Sequence, residues 1–250
     1  MTLKALVLCA GRGTRLKDLT RDCPKPLLPI EGTPLVGYTL HHLAHHGIID
    51  VAVNLHFLAD RVEDELGDGS RYGLHIHYEL EDELLGTAGA AANLIDYFAD
   101  ASDVLIVYGD LVFDEDLTTL YERHRANRAD ATLLVHRRTT PSNSIINMDD
   151  TGRIVRFRER PAGWSATGPV WVNSGCQILR RELIERFPSK RPLDLPRDIY
   201  MPLAADLRLF GVPIEGYRIA IDSAERYQQA IHDVKAGKVR VPPSGAQEPS

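Results

Sequence analysis

Hydrophobic residues alternate along the chain between short apolar runs and stretches with helical spacing. The runs Leu3–Cys9, Val51–Leu55 and Val104–Tyr108 are short and bounded by polar or turn residues, which predicts buried strands. Between the first two, Leu35–His46 has apolar residues three and four positions apart and lies between a proline and a glycine. This pattern predicts an amphipathic helix with recognisable ends.

The same alternation continues through the first half of the chain. Further helices are predicted at Ala59–Leu66, Ala88–Phe98 and Glu115–Asn127, and further strands at Leu74–Tyr78 and Ala131–His136. After about Pro141 the pattern changes, and Arg153–Arg158 and Val170–Leu179 are predicted as strands with long connections. Repetition of strand, helix and strand predicts a mainly parallel sheet with helices on both faces. Ligands of such sheets bind outside the carboxyl ends of the strands. We therefore expect Gly11–Gly13 and Gly109-Asp110, which each follow a strand, to share one crevice.

The composition is that of an ordinary folded protein. The 250 residues are 44% hydrophobic and 26% charged, which fits one large α/β domain. The apolar runs are far shorter than the ~20 residues of a membrane span, and no leader pattern precedes the first strand. We expect a cytoplasmic protein without a membrane partner. The net charge of −6 disfavours broad nucleic-acid binding but allows a local cationic pocket for a phosphorylated small molecule.

Cysteines and histidines indicate neither a disulfide framework nor a zinc site. Cys9, Cys23 and Cys176 are odd in number and widely spaced, and we interpret them as core or near-site residues. A predicted helix carries two histidine pairs at i,i+4 spacing, which can bind zinc, but no third ligand follows at a recognisable spacing. We interpret these histidines as a solvated or subunit-facing surface: His41, His42, His45 and His46.

The segment Leu8–Leu16 directly after the first strand is the most informative part of the chain. Gly11 and Gly13 allow backbone N–H groups to turn toward an anion, and Arg12 and Arg15 add charge suited to a triphosphate. The segment lacks the Gly-Lys-Ser/Thr ending of a Walker loop, and a leucine replaces the third glycine of a dinucleotide fingerprint. Taken alone, this pattern fits a structural turn as well as a phosphate site.

Lys25, which lies between two prolines further along the chain, extends the pattern. Pro24 and Pro26 restrict the backbone on both sides of Lys25 and hold its ammonium in place. The block Gly11–Ile30 resembles the Gly-x-Gly-Thr-Arg-Leu…Pro-Lys-Pro signature of sugar-phosphate nucleotidyltransferases, such as the mannose- and heptose-1-phosphate guanylyltransferases. The resemblance covers roughly residues 3 to 230. It implies a Rossmann-like, mainly parallel mixed sheet flanked by helices, with a sugar-binding cap in the second half, as in the glycosyltransferase A-like fold.

The resemblance also implies a nucleotide site. Gly86-Thr87-Ala88-Gly89 corresponds to the family's helix-opening segment beneath the nucleotide, although such a segment also suits a small-residue helix packed on the sheet. The acidic residues Glu79, Glu81 and Glu83 precede it and are either base-reading groups or acidic surface. The implied nucleotide-binding residues are Leu8, Ala10, Gly11, Gly13, Thr14, Arg15, Gly86, Thr87 and Gly109.

A magnesium site is implied by two aspartates. Gly109-Asp110 resembles the family's Gly-Asp, and the carboxylate oxygen suits a hard dication. Asp222 resembles the late aspartate, but Ser223-Ala224-Glu225 replaces the usual Gly-Thr-Pro continuation. The resemblance thus implies Mg²⁺ held by Asp110 and Asp222, and the implied catalytic residues are Arg15, Lys25 and Asp110.

Two later motifs resemble the family's acceptor site. Glu159-Arg160-Pro161 resembles Glu-Lys-Pro, and arginine can replace the lysine as a planar, bidentate phosphate ligand. Asn173-Ser174-Gly175 resembles the Asn-x-Gly strand that contacts the sugar. The alternative for Arg158 and Arg160 is an ordinary solvated strand edge. The implied sugar-phosphate-binding residues are Lys25, Glu159, Arg160 and Asn173.

The resemblance implies that a sugar 1-phosphate attacks a nucleoside triphosphate to give a nucleotide-sugar and pyrophosphate. We expect one domain over residues 1–236, with residues 1–140 binding nucleotide and residues 141–236 binding sugar phosphate, followed by a flexible tail at 237–250. Gly-Thr-Ala-Gly-Ala favours GTP and a hexose or heptose 1-phosphate, whereas Val53–Leu55 and Leu66–Ser70 also resemble short uridylyltransferases.

Three alternatives stay open. A uridylyl- or thymidylyltransferase of the same family would share nearly every motif. A phospho-alcohol cytidylyltransferase would usually lack the Glu-x-Pro and Asn-x-Gly pair. A catalytically inactive nucleotide-binding regulatory module would need a defective lysine or metal position, yet Lys25 and Asp110 are present. The family commonly forms dimers or tetramers, so a homo-oligomer is possible.

Overall fold

The computed structural model of the chain describes residues 3–11, 13–139, 144–160 and 168–240. Arg12, Pro161 and residues 241–250 of the expected tail lie outside these ranges. The chain divides into two compact units, each made of three stretches. The first unit comprises Met1–Lys4, Leu85–Ile106 and Leu117–Ile214, and the second comprises Ala5–Leu84, Val107–Asp116 and Glu215–Ser250. The division into functional parts near residue 140 is a different one and stays a prediction.

Strands and helices alternate through most of the chain. The strands are β1 (Leu3–Leu8), β2 (Pro29–Ile30), β3 (Thr33–Pro34), β4 (Asp50–Leu55), β5 (His75–Leu80), β6 (Asp103–Tyr108), β7 (Leu111–Phe113), β8 (Ala131–Arg138), β9 (Ser144–Met148), β10 (Ile154–Glu159), β11 (Val170–Arg180), β12 (Leu209–Pro213) and β13 (Arg218–Ala220). The helices are α1 (Leu35–His45), α2 (Ala59–Leu66), α3 (Thr87–Asn93), α4 (Leu117–Ala126), α5 (Arg181–Glu185), α6 (Met201–Leu203) and α7 (Ala224–Lys235). Short 3-10 helices lie at Thr14–Thr20, Lys25–Leu27 and Ser70–Tyr72, and one π-helical stretch lies at Leu195–Tyr200.

The second unit is built on a parallel sheet. Strand β4 pairs in parallel with β1 on one side, where Ala5 aligns with Val51, and with β5 on the other, where Leu55 aligns with Leu80. The central residues of β1 and β4 are fully buried, as expected of parallel strands covered on both faces. Two small antiparallel pairs, β2 with β3 and β7 with β13, complete the strands of this unit.

An apolar cluster in the second unit anchors the segments on both sides of Lys25. Side chains from the early loop region pack there against α1, β7 and the C-terminal helix α7. Burial of such side chains is the main driving force for their association. The buried members are Leu16, Leu28, Ile30, Leu35, Tyr38, Val112, Ile219, Ile221, Tyr227 and Ala230.

The first unit carries a mixed set of strands. Strand β11 pairs antiparallel with β8 and β9, β9 pairs antiparallel with β10, and β12 pairs in parallel with β8. The pairing of β11 with β8 is interrupted between Asn173 and Gln177. The predicted α/β fold, a mixed sheet flanked by helices, is confirmed, although its parallel pairs concentrate in the second unit. None of the helices in the described ranges is long and apolar enough to cross a bilayer.

The histidine interpretation is wrong for two of its four residues. His41 and His42 are 6% and 1% exposed, so they do not form a solvated surface. The ring Nε2 of His42 lies 2.7 Å from the carbonyl oxygen of Glu115. Burial lowers the pKa of His42 to about 4, so the ring is neutral at pH 7. Both histidines are therefore packing residues of the second unit, His42 through this hydrogen bond and His41 through a ring contact with Tyr72 at 4.8 Å between centroids.

Candidate functional site

A left-handed glycine shapes the early loop. Gly13 has φ of +61°, a conformation that suits glycine because it has no Cβ. A Cβ there would lie 3.1 Å from Cβ of Lys25 and 3.2 Å from Cγ2 of Thr20. The Gly13 carbonyl accepts hydrogen bonds from Leu16 N at 2.9 Å and from Thr20 Oγ1 at 3.1 Å. The loop backbone is thereby held against the stem of Lys25.

Lys25 and Asp110 form a short ion pair in the second unit. The 3-10 helix that begins at Lys25 follows Pro24, and Leu27 N donates to the Pro24 carbonyl at 2.8 Å. Lys25 Nζ lies 2.5 Å from Asp110 Oδ2, and the two side chains are only 13% and 27% exposed. Because solvent screens partly buried charges weakly, this contact restrains both side chains. Separate motifs predict the two residues, and the structure brings them into contact.

Gly109 allows two segment ends to approach closely. Its N–H donates to the Leu8 carbonyl at 3.0 Å. A Cβ at this position would lie 2.5 Å from Cys9 Sγ and 2.8 Å from the Leu8 oxygen, so only glycine fits without movement. Burial raises the pKa of the Cys9 thiol, which therefore stays protonated. The approach sets the position of Asp110, the next residue.

Asp222 lies on the segment hydrogen-bonded to Asp110. Ile221 N donates to the backbone carbonyl of Asp110 at 2.8 Å, which extends the pairing of β7 with β13. The Asp222 carboxylate is half-buried, and its Oδ1 lies 3.4 Å from Arg226 Nε. Ser223 caps the following helix by accepting a hydrogen bond from Arg226 N at 3.2 Å. The two aspartates implied as metal ligands thus sit on neighbouring segments, each beside a cation.

The chemistry of these two side chains fits Mg²⁺. Magnesium is usually held by one or two carboxylates together with substrate phosphates and water. The described residues contain no cluster of three or more His, Cys, Asp or Glu side chains that could hold a metal ion. Asp110 and Asp222 therefore fit a magnesium site that a substrate phosphate completes better than a site made of protein ligands alone. Their role as ligands stays a prediction.

The remaining loop residues differ in burial. Ala10 is buried and Leu8 half-buried, whereas Gly11 and Arg15 are exposed. No described atom outside its chain neighbours lies within 4 Å of a Cβ built on Gly11. Thr14 begins the 3-10 helix Thr14–Thr20. The exposed Gly11 and Arg15 are accessible to a ligand, as a phosphate site requires, and binding by this loop stays a prediction.

Of the three acidic residues considered for base reading, only Glu81 is buried. Its side chain is 4% exposed, and its Oε1 accepts a hydrogen bond from Asn54 Nδ2 at 2.8 Å. Asn54 Oδ1 in turn accepts from Cys9 N at 2.9 Å. Glu79 is half-buried with an oxygen 3.8 Å from His77 Nε2, and Glu83 is exposed. This chain of contacts connects Glu81 to the residue after β1.

In the first unit, Gly86 and Thr87 pack on a later segment. Gly86 has φ of +78°, and a Cβ there would lie 2.5 Å from the Leu193 carbonyl oxygen. Thr87 Oγ1 donates to Asp194 Oδ2 at 3.2 Å and accepts from Leu195 N at 2.7 Å. Gly86 and Thr87 therefore have a packing role against this later segment, whereas the alternative predicted from the sequence was packing on the sheet. Its contact with a nucleotide stays a prediction.

Glu159 is a buried carboxyl with a perturbed pKa. Its side chain is 11% exposed, and Arg160 Nε lies 3.7 Å from its Oε1 on a side chain that is 78% exposed. The pKa of Glu159 is raised to about 7, first by burial and then by the negative charge of Asp194, while the cations Arg160 and Arg197 act in the opposite direction. Neither Asp194 nor Arg197 is among the predicted site residues. The signal for them is the helix-capping pattern Asp-x-x-Arg, in which Asp194 accepts a hydrogen bond from Arg197 N.

Asn173 stabilises an interruption in β11. Its Oδ1 accepts from Gly175 N at 3.0 Å, and Gly175 has φ of +85°. Its backbone N donates to Ser144 Oγ at 2.9 Å, and its Nδ2 lies 3.5 Å from Gln177 Oε1. These contacts explain the Asn-x-Gly spacing by a β-bulge, a local feature that often re-aims side chains near binding sites. Contact of Asn173 with a sugar stays a prediction.

Two curated relatives match nearly the whole chain. The UTP–glucose-1-phosphate uridylyltransferase of Synechocystis sp. (strain PCC 6803) is 31% identical over 252 residues, which is 95% of this chain and 65% of the relative. The mannose-1-phosphate guanylyltransferase of Mycobacterium tuberculosis is 32% identical over 237 residues, which is 93% of this chain and 65% of the relative. The chain thus spans about 65% of the length of these relatives.

Two solved structures resemble the chain in fold, and a family model matches most of its sequence. HddC from Yersinia pseudotuberculosis has a TM-score of 0.78 at 24% identity, covering 94% of this chain and all of the other. A proposed glucose-1-phosphate thymidylyltransferase from Bacillus anthracis has a TM-score of 0.81 at 20% identity, covering 92% and 94%. Both confirm the fold class. The family model described as nucleotidyl transferase matches residues 4–206. The chain therefore belongs to the nucleotidyl transferase family.

Proposed function

We propose that the chain is a sugar-1-phosphate nucleotidyltransferase, and the observation that carries this proposal is the Lys25–Asp110 pair beside Gly13 and Gly109. In the reaction, a phosphate oxygen of the sugar 1-phosphate forms a bond to the α-phosphorus of a nucleoside triphosphate. The bond from that phosphorus to the bridging oxygen of the β-phosphate breaks, and pyrophosphate leaves with the electron pair. The products are a nucleotide-sugar and pyrophosphate.

In this proposal, the second unit binds the triphosphate. Backbone N–H groups of the loop at Gly11 and Gly13, with the exposed Arg15, surround the phosphates. Lys25 leaves Asp110 when substrate binds and places its ammonium on the reacting phosphates. The acceptor is already a phosphate dianion, so the reaction needs positioning and charge neutralisation rather than a strong base. Asp110 and Asp222 would hold Mg²⁺, which neutralises phosphoryl charge when bound.

The first unit supplies the acceptor contacts in this proposal. Glu159 accepts hydrogen bonds from hydroxyl groups of a hexose or heptose, and the exposed Arg160 binds the phosphate. The pKa of Glu159 of about 7 means that this group is partly protonated near neutral pH. Ionised Glu159 is the better acceptor for sugar hydroxyls, so acceptor affinity should rise with pH through this value.

We favour GTP as the nucleotide because Glu81 presents a buried carboxylate. Guanine offers two adjacent N–H donors on one edge, which match two carboxylate oxygens, whereas uracil and thymine place carbonyl acceptors on both sides of a single N–H. A carboxylate accepts several hydrogen bonds at once, so its contact with Asn54 is compatible with this role. The relative from M. tuberculosis supports GTP, and the relative from Synechocystis makes UTP the second candidate.

The test is pyrophosphate release with Mg²⁺, ATP, GTP, CTP, UTP and dTTP, and a panel of sugar 1-phosphates plus phosphocholine. We expect release only when GTP and a hexose or heptose 1-phosphate are both present. Glu81→Gln offers both a donor and an acceptor, and it should shift the preference from GTP toward UTP or dTTP. Release with CTP and phosphocholine would instead indicate a cytidylyltransferase, and GTP binding without turnover on every acceptor would indicate a binding module.

Lys25→Ala tests the catalytic assignment. We expect turnover to fall at least 100-fold, because the lost cation acts on the charge of the transition state, while GTP affinity changes much less. Lys235→Ala is the matched control, since Lys235 is an exposed lysine of the same unit paired with Glu31 at 3.3 Å. Near-normal turnover in Lys25→Ala would contradict the catalytic role proposed for this lysine.

A further inference from the structure

A cleft of about 640 Å³ opens in the first unit, and none of the predicted site residues lines it. Its walls come from the end of α4, the residues around the start of β6 and the junction of β11 with α5. Four of its ten lining residues are arginines: Arg125, Arg128, Arg180 and Arg181. The volume lies within the range of small-molecule sites, ~300–1,000 Å³.

The carboxylates that line the cleft already have cationic or hydrogen-bonding partners. Asp103 is buried and accepts hydrogen bonds from Ser102 Oγ, Tyr121 OH and His124 Nε2, at distances from 3.1 to 3.2 Å. Asp100 lies 2.5 Å from Lys4 Nζ. These two negative charges are therefore offset by groups other than the arginines. Glu182, a lining residue that is 73% exposed, lies 3.9 Å from Arg180, and the charge of Arg180 also lowers the pKa of Asp130 outside the lining.

Two of the four arginines have no anionic partner in the described part of the chain. Arg181 donates from Nε to the Ala101 carbonyl at 3.1 Å and pairs with Glu185. Across the described ranges, no carboxylate oxygen lies within 4.0 Å of Arg125 or Arg128. Arg125 instead contacts Tyr121, with its Nη1 3.5 Å from the hydroxyl oxygen and its Cζ 5.9 Å from the ring centroid. The cleft therefore has an excess of positive charge.

The backbone at Arg128 is strained. Its φ of +47° is left-handed, and it follows the last turn of α4, where Ala129 N donates to the His124 carbonyl at 3.1 Å. Glycine or asparagine is the usual residue at such a helix end, because a longer side chain is disfavoured there. Arg128 closes the helix in this conformation, with its own N donating to the Arg125 carbonyl at 3.0 Å. The helix dipole would explain Arg125 but not Arg180, which lies on another segment.

We propose that this cleft binds a phosphorylated small molecule through Arg125, Arg128 and Arg180. Guanidinium groups donate paired hydrogen bonds to phosphate oxygens, and two unpaired guanidiniums match a group with two or more negative charges. The volume exceeds that of one phosphate and leaves room for an organic part. Inorganic pyrophosphate and an organic diphosphate share this chemistry. The proposal is independent of the nucleotidyltransferase activity, since it uses none of the residues assigned to that reaction.

Residue-resolved arginine modification tests the site on the unaltered chain. The protein is treated with phenylglyoxal, with and without pyrophosphate or GDP, and modification at each arginine is followed by peptide mass spectrometry. We expect at least one probe to slow modification of Arg125 and Arg128 several-fold. Arg123, exposed on α4 outside the cleft, is the internal control and should keep its rate. Protection by GDP alone identifies an organic phosphate, and equal protection by pyrophosphate identifies the diphosphate group as sufficient.

A double variant provides the second arm. In calorimetric titrations with pyrophosphate or GDP, Arg125→Gln/Arg128→Gln should lose one class of binding site, or bind the probe there at least tenfold more weakly. Arg123→Gln should match the wild type. Both variants should keep the wild-type pyrophosphate-release activity, and circular dichroism checks that both are folded. Unchanged modification rates at Arg125 and Arg128 with both probes, or identical titrations of the double variant and the wild type, would overturn the proposal.

Discussion

Gly109→Ala is the substitution whose effect the structure defines most closely. The new Cβ would lie 2.5 Å from Cys9 Sγ and 2.8 Å from the Leu8 carbonyl oxygen, both well inside ordinary van der Waals contact. The sulfur can shift, but the carbonyl belongs to β1, so the segment after β6 must move as well. That movement strains the hydrogen bond from Gly109 N to the same carbonyl and displaces Asp110.

The magnitude follows from these two effects. Forcing an extra carbon into a packed position costs ~1–3 kcal/mol, and a weakened backbone hydrogen bond adds about 1 kcal/mol. We expect Gly109→Ala to lower the free energy of unfolding by about 3 kcal/mol, which corresponds to ~6–12 °C in Tm for a domain of 150–250 residues. Gly11→Ala should change stability by less than ~0.5 kcal/mol, because a Cβ there meets no described atom within 4 Å.

Urea unfolding of five proteins tests these values: wild type, Gly109→Ala, Cys9→Ala, the double variant and the Gly11→Ala control. Removing the sulfur relieves the contact with Cys9 but leaves the one with the Leu8 oxygen. The double variant should therefore recover only part of the loss, with a coupling energy of about 1 kcal/mol. If Gly109→Ala is as stable as the Gly11→Ala control, the close approach described at Gly109 is wrong. Pyrophosphate release should fall in Gly109→Ala even where the protein is folded, because Asp110 moves.

Three further predictions concern the first unit. The pKa of Glu159 is about 7, above its unfolded value of 4.5. The stabilising contribution of this group is therefore full below pH 4.5 and is lost as the pH rises through 7. Glu159→Gln should flatten the fall in unfolding free energy over this window, as measured by urea titrations at several pH values. Asp103→Asn should lower the unfolding free energy by ~2 kcal/mol, because an amide cannot accept every hydrogen bond that the buried carboxylate accepts, and a thermal shift below 2 °C would contradict this. Asn173→Ala should cost about 1 kcal/mol by removing the acceptor for Gly175 N, whereas Asn173→Asp keeps that acceptor and should stay close to wild type in the same unfolding assay.

Local patterns predicted the elements that are long and regular. Strand β1 and helix α2 match their predicted ranges within one residue, because an apolar run and a helical period each fix an element without reference to the rest of the chain. The helix predicted over Ala88–Phe98 ends at Asn93 instead, and no glycine or proline marks that end. The three-residue strands β7 and β13 carry too few positions for a period, and they exist only because they pair with each other.

Local sequence patterns are limited in the same way for the candidate site. Motifs identified Lys25 and Asp110, but their contact joins residues 85 positions apart, which no local pattern encodes. Thr87 and Asp194 are 107 positions apart, so the hydroxyl that was expected near a nucleotide could not be recognised as a packing contact. His42 was misjudged for a related reason, since its carbonyl partner on Glu115 comes from another part of the second unit.

Because the second unit consists of three separate stretches of the chain, its parts are synthesised at different times. Strand β7 leaves the ribosome about 110 residues before its partner β13, and Ile221, which donates to the Asp110 carbonyl, follows later still. At ~5–20 residues per second, translation leaves this edge unpaired for about 5–20 s. Lys25 and Asp110 are both synthesised early, whereas Asp222 arrives near the end. A nascent chain can therefore hold the first two charges together well before it carries the second aspartate, and a chaperone that shields the exposed β7 edge would act in that interval.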